Sequence, residues 1–358
     1  MNNANSRYLS KIRIISEHSM KIAFFEIEDW EIPYLTNNLR PTTNEFRLEF
    51  FKQKLDKDNL PEQKDFDIIS VFVGSNVDKE VINAFPNLKL ITTRSTGFDH
   101  IDLNAAKEKN ISVAYVPGYG DNTVAEFAFG LILNLSRKIF ESYDQIKETG
   151  SFSLEGLRGF DLKGKTIGIV GTGRIGCHMI KIANGFEMNV VAYDAFPKQE
   201  LCEKLGFKYV SSLDELLMIS DIISLHVPYM KETHHLINSQ NIAKIKKGAL
   251  LINTSRGPVV ETEALIKALN EKILGGAGLD VLEEEGAIQD EKSLLLYGHP
   301  EEHNLKTVLA NHVLIDMPNV IITPHNAFNT QEALQRILDT DIENIESFIK
   351  ENKPHYSV

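Results

Sequence analysis

The sequence predicts an α/β chain that carries parallel sheet in two domains, and three observations support this. Short apolar runs alternate with amphipathic helical patterns along almost the whole chain, as parallel strands joined by crossover helices require. A glycine-rich hexapeptide, GTGRIG at 171–176, directly follows one of those runs. The length of 358 residues allows two domains that each bury a core.

The first strand candidates are KIAFF at 21–25, IISVFV at 68–73, LKLITT at 88–93 and ISVAYV at 111–116. A long helix is expected next, over 122–138. Thr123 and Glu126 have the Thr-x-x-Glu spacing of a capping box. Val124, Phe127, Ala128, Leu131, Ile132 and Leu135 follow at helical spacing. Arg137 and Lys138 lie near its end, where the helix dipole favours cations.

A second strand series begins at Lys165. It comprises TIGIV at 166–170, NVVAY at 189–193, IISLH at 222–226, ALLIN at 249–253, GGAGLDV at 275–281 and NVIIT at 319–323. This places a dinucleotide-binding domain at 121–325. The other domain is discontinuous, 1–120 plus 326–358, with a last helix over Gln331 to Lys350 returning to it. The segment 286–318 shows no pattern that assigns an element. Residues before Met20 read as a dispensable extension, or as one that contains an alternative start.

Composition narrows the function. Lys plus Arg total 38 against 50 Asp plus Glu, a net charge of −12. With no basic cluster, this argues against binding a phosphate backbone, whose affinity comes from Lys and Arg. No run approaches the roughly 18 apolar residues of a membrane helix. The two cysteines, Cys177 and Cys202, lack metal-ligand spacing and fit free thiols in a reducing compartment. A cytoplasmic enzyme acting on a small molecule is the expectation.

The strand TIGIV, the GTGRIG turn and the helical pattern after it form a dinucleotide fingerprint in its required setting. Gly171 permits the tight turn, Gly173 admits the pyrophosphate, and Gly176 lets helix and strand pack closely. The helix start offers unpaired N–H groups to the anion. Asp194 ends the next strand, at the spacing expected of a ribose-binding acid. Its charge repels a 2′-phosphate, which favours NAD over NADP.

Ligands of doubly wound sheets bind at the carboxyl ends of the strands. Arg256, Asp280, Glu285 and His325 all fall just past such ends. Reduction of a 2-oxo acid needs a carboxylate anchor and a proton donor beside the hydride source. Arg256 can grip a carboxylate with two parallel, charge-assisted bonds. His325 can deliver a proton near neutral pH. Glu285 can stand behind it and keep its acid form available. From the residues alone, Arg256 also fits a surface ion pair, and Glu283-Glu284-Glu285 also fits a solvated acidic face. The pair His234-His235 suggests no metal site, because adjacent side chains are expected to point apart and no third ligand accompanies them.

Together RSTGFDHIDL at 94–103, GTGRIG, SLHVPYMKETHHLIN at 224–238, LINTSRGPVV at 251–260, GLDVLEEE at 278–285 and MPNVIITPHNAF at 317–328 resemble the D-isomer-specific 2-hydroxyacid dehydrogenases. The D-lactate dehydrogenase branch is the nearest. The resemblance implies two Rossmann-like or flavodoxin-like domains with the active site in the cleft between them, and a homodimer. It implies Arg256, Glu285 and His325 as the catalytic set. It implies NAD contacts from Arg174, Ile175, Val227, Pro228, Thr233, Thr254 and Ser255, with Asp280 on the nicotinamide carboxamide. Backbone N–H groups around Thr96 and Gly97 would receive the substrate carboxylate. Tyr119 and Phe328 would wall the substrate side chain, with plain core packing as their alternative role.

The chain departs from that branch at Gly118-Tyr119-Gly120-Asp121, where Ala-Tyr-Ser-Pro is frequent, and at Phe127, where His is common. It also lacks a frequent pocket Tyr near 75–77. These positions bear on substrate side-chain choice. Pyruvate is the first expectation, ahead of phenylpyruvate and branched 2-oxo acids. Reductases of glyoxylate or hydroxypyruvate share the scaffold, as do NAD-sensing corepressors without physiological turnover.

Overall fold

The computed structural model describes residues 19–39, 46–285 and 304–358. The chain forms two compact units, 1–117 with 335–358, and 118–334. The seams expected from the sequence stood at 120/121 and 325/326.

The first unit is a five-stranded parallel sheet in the order β2-β1-β3-β4-β5. Its elements are β1 (Lys21–Phe24), α1 (Glu31–Asn38), β2 (Arg47–Phe50), β3 (Ile68–Val71), α2 (Lys79–Ala84), β4 (Leu90–Thr93), α3 (Leu103–Glu108) and β5 (Ser112–Ala114). Successive strand residues face opposite sides, so each central strand feeds two cores. Ile22, Phe24, Ile68 and Leu90 enter one core; Ala23, Phe25, Ile69 and Ile91 enter the other. Asp78 and Asp102 cap α2 and α3 by accepting the N–H groups of Val81 and Ala105.

The second unit is a seven-stranded parallel sheet in the order β12-β11-β10-β9-β6-β7-β8. It opens with α4 (Asp121–Arg137) and α5 (Ile139–Thr149). Then follow β6 (Thr166–Val170), α6 (Arg174–Gly185), β7 (Asn189–Tyr193), α7 (Gln199–Leu205), β8 (Lys208–Tyr209), α8 (Leu213–Ile219) and β9 (Ile222–Leu225). The unit continues through β10 (Ala249–Asn253), α9 (Thr262–Asn270), β11 (Leu274–Leu279), α10 (Leu305–Ile315) and β12 (Val320–Ile322). From β6 the chain winds outward through β7 and β8, then returns to β9 on β6's other side. That reversal is the switch point at which such sheets bind ligands.

The helix α4 begins earlier than the expected capping box allows. Its N-cap is Gly120, without a side-chain cap, and Thr123 is buried inside the first turn. Glu126 instead accepts from Asn122 Nδ2 at 3.0 Å. Lys138 takes a left-handed backbone, φ 56°, that ends α4 and turns the chain into α5.

The last helix, α11 (Gln331–Glu351), returns to the first unit. Leu338, Ile342, Ile345 and Phe348 enter the core that holds Ile22 and Phe24. Each such burial stabilises by about 1.5–3 kcal/mol. Asp341 is fully buried on the same helix and accepts from Ser70 Oγ at 2.8 Å and Thr92 Oγ1 at 2.6 Å. Buried Arg94 donates to Ser70 Oγ at 2.9 Å and to the Phe25 carbonyl at 2.6 Å. Ser70 thus joins a buried cation to a buried carboxylate. Burial pushes Asp341 up, and the Arg94 guanidinium opposes that shift.

Candidate active site

The glycine turn stands at the switch point. Gly171 has φ 95°, and a Cβ there would lie 2.5 Å from the carbonyl oxygen of His226, at the end of β9. A Cβ on Gly176 would lie 2.0 Å from the Gly171 carbonyl oxygen. Only glycine fits either position. A Cβ on Gly173 would meet nothing within 4 Å, so the start of α6 is open to an approaching anion.

Asp194 follows β7 directly. Its Oδ2 accepts from Thr172 N at 2.7 Å and Thr172 Oγ1 at 2.8 Å, and its Oδ1 from Phe196 N at 2.8 Å. Burial works against the charge, but these donors outweigh it and hold the carboxyl below its usual range. Tyr209 Oη contacts Thr172 Oγ1 at 2.7 Å and accepts from Lys198 N at 3.3 Å. Because the carboxylate only accepts and the Lys198 N–H only donates, every step of that chain has a set direction. Thr172 and Tyr209 are absent from the sequence expectations. Thr172 was visible as an inner residue of the glycine motif, whereas nothing local marks Tyr209.

The remaining expected cofactor residues lie around the same edge. Val227 Cγ1 falls 3.0 Å from the position of a Gly171 Cβ. Thr233 Oγ1 donates to the Pro228 carbonyl at 2.7 Å and accepts Met230 N at 2.8 Å, closing the loop after β9. Asn253, also not expected, shapes the turn after β10. Its Oδ1 accepts from Ser255 N and Oγ, and its Nδ2 donates to the Arg256 carbonyl at 2.9 Å. Thr254 Oγ1 is buried without a hydrogen-bond partner among the described residues. Ile175 is partly buried in the α6 core, and Arg174, the first residue of α6, lies 4.0 Å from Asp121 Oδ2.

His325 and Glu285 meet although 40 residues separate them, with His325 Nδ1 at 2.8 Å from Glu285 Oε1. A carboxylate accepts only, so Nδ1 is the protonated nitrogen of that contact and Nε2 takes no part in it. His325 has a left-handed backbone, φ 51°, which is costly for a residue with a Cβ. Asp280 holds it there. The Asp280 carbonyl accepts His325 N at 2.8 Å, and its carboxylate accepts Thr323 Oγ1, Asn326 N and Ala327 N. Burial pushes the Asp280 carboxyl up, and those donors work against the shift. The carboxylate expected on the nicotinamide amide therefore also anchors the histidine turn.

Arg256 Nη1 donates to the Ser255 carbonyl at 2.9 Å. Its charge reaches Tyr119, whose phenol is pushed up by burial and drawn down by Arg256. Tyr119 packs edge-on against Phe328 with centroids 6.5 Å apart. The second unit thus brings together Arg256 and both expected aromatic residues. A Cβ on Gly257 would fall 2.0 Å from the Leu282 carbonyl carbon, so the Arg256 turn lies directly on the segment leading to Glu285. Thr96 and Gly97 belong to the first unit. Thr96 Oγ1 donates there to the Val116 carbonyl, and Ser95 Oγ to that of Gly97.

The rings of His234 and His235 do not point apart. They stack at 3.9 Å, because His235 has φ 49° and the chain bends there. Among the described residues no three His, Cys, Asp or Glu side chains form a metal-binding group.

The model for the NAD-binding domain of D-isomer specific 2-hydroxyacid dehydrogenases matches residues 129–327. The chain belongs to this family. A 2-hydroxyacid dehydrogenase homolog of Zymomonas mobilis is 42% identical over 301 residues, 83% of this chain and 88% of that protein. A glyoxylate reductase of Thermofilum pendens is 41% identical over 295 residues, 81% of this chain and 80% of that one. The structure of D-lactate dehydrogenase from Aquifex aeolicus, complexed with NAD and lactic acid, matches with a TM-score of 0.80 and 37% identity. That match covers 92% of this chain and 95% of that chain.

The chain is an NAD-dependent D-2-hydroxyacid dehydrogenase. The residues present fit the dinucleotide. The approach to Gly173 is open, the Asp194 carboxyl is held ionised, and the Thr254 hydroxyl is buried and unpartnered among the described residues.

Proposed function

We propose that this dehydrogenase reduces pyruvate to D-lactate. The observation that carries the proposal is the His325–Glu285 contact, built on a strained turn that Asp280 holds in place. When bound, NADH would supply the hydride. Arg256 anchors the substrate carboxylate and polarises the adjacent carbonyl. His325 gives the Nε2 proton to the carbonyl oxygen, while Glu285 holds the Nδ1–H and steadies the imidazolium until that proton leaves. Tyr119 and Phe328 limit the substrate to a small side chain, which favours pyruvate.

A second reading keeps the chemistry and changes the acid. It is favoured by the Thermofilum pendens relative, named a glyoxylate reductase. NADH oxidation across pyruvate, glyoxylate, hydroxypyruvate, phenylpyruvate and branched 2-oxo acids, followed by chiral analysis of the product, separates the two. Pyruvate should give the highest kcat/KM and a D product. A clear preference for glyoxylate supports the second reading, and no turnover with any acid supports an NAD sensor.

The proposal includes a cytoplasmic homodimer. Helix α5 leaves Phe140 and Tyr143 exposed, and Phe152 and Leu154 after it are each 85% exposed. An apolar stripe of this kind suits a second copy of the same chain. Both cysteines are free thiols, in keeping with a reducing compartment. No helix among the described residues is long and apolar enough to cross a membrane. Light scattering should give twice the chain mass of 40.4 kDa.

A further inference from the structure

We propose that His235 is a positioning residue that locks the Arg256 turn to the Glu285 turn. The inference rests on the catalytic roles proposed above for those two residues. The backbone of His235 acts on one turn and its ring on the other. Its N–H donates to the Pro258 carbonyl at 2.8 Å, two residues after Arg256. Its Nε2 meets Glu283 Oε1 at 2.8 Å, two residues before Glu285. The carboxylate only accepts, so Nε2–H is the donor.

Both attachments are reinforced. Ile237 and Val260 form a parallel bridge, with Ile237 N on the Val259 carbonyl at 3.1 Å and Glu261 N on that of Ile237 at 2.9 Å. The residues that follow His235 are therefore tied by an isolated bridge to the end of the Arg256 turn. On the other side, Glu283 Oε2 accepts Thr262 N at 2.9 Å and Thr262 Oγ1 at 2.6 Å, at the start of α9. The Glu283 carbonyl accepts Asn311 Nδ2 from α10 at 2.7 Å. Where the two turns touch, Gly257 leaves no room for even a Cβ against Leu282 and Glu283.

The left-handed backbone of His235, φ 49°, lets its N–H and its ring serve different turns. The His234 ring stacked on it at 3.9 Å narrows its freedom further. Glu283 is mostly buried, with side-chain exposure of 14%. Water therefore replaces the lost contact poorly when the imidazole is removed. The expected consequence is a small relative displacement of Arg256 and Glu285, and misplacements of about 1 Å cost roughly a hundredfold in rate.

The test compares His235→Phe, which keeps a flat ring and loses the donor, with His235→Gln, which keeps an N–H donor. With pyruvate and NADH, His235→Phe should lose about ten- to a hundredfold in kcat. NADH affinity, read by fluorescence titration, should stay unchanged. The primary deuterium isotope effect with labelled NADH should rise as chemistry becomes limiting. His235→Gln should recover most of the loss. Wild-type kcat and isotope effect in a folded His235→Phe would overturn the inference, as would equal losses in both variants. If His235→Phe does not fold, Glu283→Leu removes the acceptor of the same bond, and unchanged kcat there overturns the inference equally. Failure of the wild type to turn over any 2-oxo acid would instead remove the proposed function.

Discussion

His325 Nδ1 lies 2.8 Å from Glu285 Oε1, on a histidine whose backbone is left-handed and tied to Asp280. The contact fixes the tautomer and aims Nε2. Glu285→Gln keeps the shape but can no longer stabilise an imidazolium. It should lower kcat about a hundredfold and leave the NADH dissociation constant unchanged. Steady-state kinetics with fluorescence titration check both. A variant as fast as the wild type would mean that Glu285 has no part in proton transfer.

Asp194 is held ionised by Thr172 and Phe196, and we propose that its charge is the barrier to a 2′-phosphate. Asp194→Ala should reduce the ratio of kcat/KM for NADH over NADPH by roughly tenfold or more, equivalent to about 1.4 kcal/mol. The 2-oxo acid KM at saturating NADH should not move. An unaltered cofactor ratio would show that selectivity resides elsewhere.

Much of the fold was legible in the sequence because its central strands are buried on both faces. β6, β9 and β10 appear as mainly apolar runs for that reason. The glycine turn was legible because three backbone demands coincide within six residues. β2 (RLEF) and β8 (KY) were not, since edge strands with partly exposed residues carry little apolar signal. The helix α5 was missed because none of its residues is buried and its apolar side chains face outward. α10 lies in the stretch with no assignable pattern, and residues 286–303 fall outside the described structure, as do 1–18. At the site, residue types pointed to Arg256, Glu285 and His325. The devices behind the site showed less: Asn253 in the Arg256 turn and Tyr209 behind Thr172 and Asp194 bridge polar groups without any periodicity, and Asp280 was expected on the cofactor but not as the anchor of the His325 turn.

His226 is half-buried, with its Nε2 2.8 Å from Ser224 Oγ and its Nδ1 buried and unpartnered among the described residues. Burial pushes it down from 6.5 to about 3. The unfolded chain takes up this proton as pH falls below 6.5, while the folded chain refuses it until about 3. Its contribution is therefore complete above that upper pH and is lost as pH falls through the window, with a slope of up to about 1.4 kcal/mol per pH unit. His226→Gln should flatten the acid side of the stability profile by up to that slope. Urea unfolding followed by circular dichroism at several pH values measures it. Parallel profiles for the two proteins would show that His226 is not the acid-sensitive group.

Removing the Asp341 carboxylate takes away the acceptor of the Ser70 and Thr92 hydroxyls and a counter-charge of buried Arg94. Asp341→Ala should cost about 3–5 kcal/mol, the usual penalty for breaking a buried charge arrangement. The chain's single tryptophan, Trp30, lies in the same unit and reports that unit's unfolding by fluorescence. A midpoint shift too small to resolve would mean that water or another acceptor already serves Arg94.

Single-turnover kinetics of His325→Asn decide the matter most directly, because asparagine tolerates the left-handed backbone that His325 adopts. With NADH prebound, hydride transfer to pyruvate should fall about a thousandfold while NADH affinity stays at the wild-type value. Transfer at a rate close to the wild type would show that this imidazole does not supply the proton.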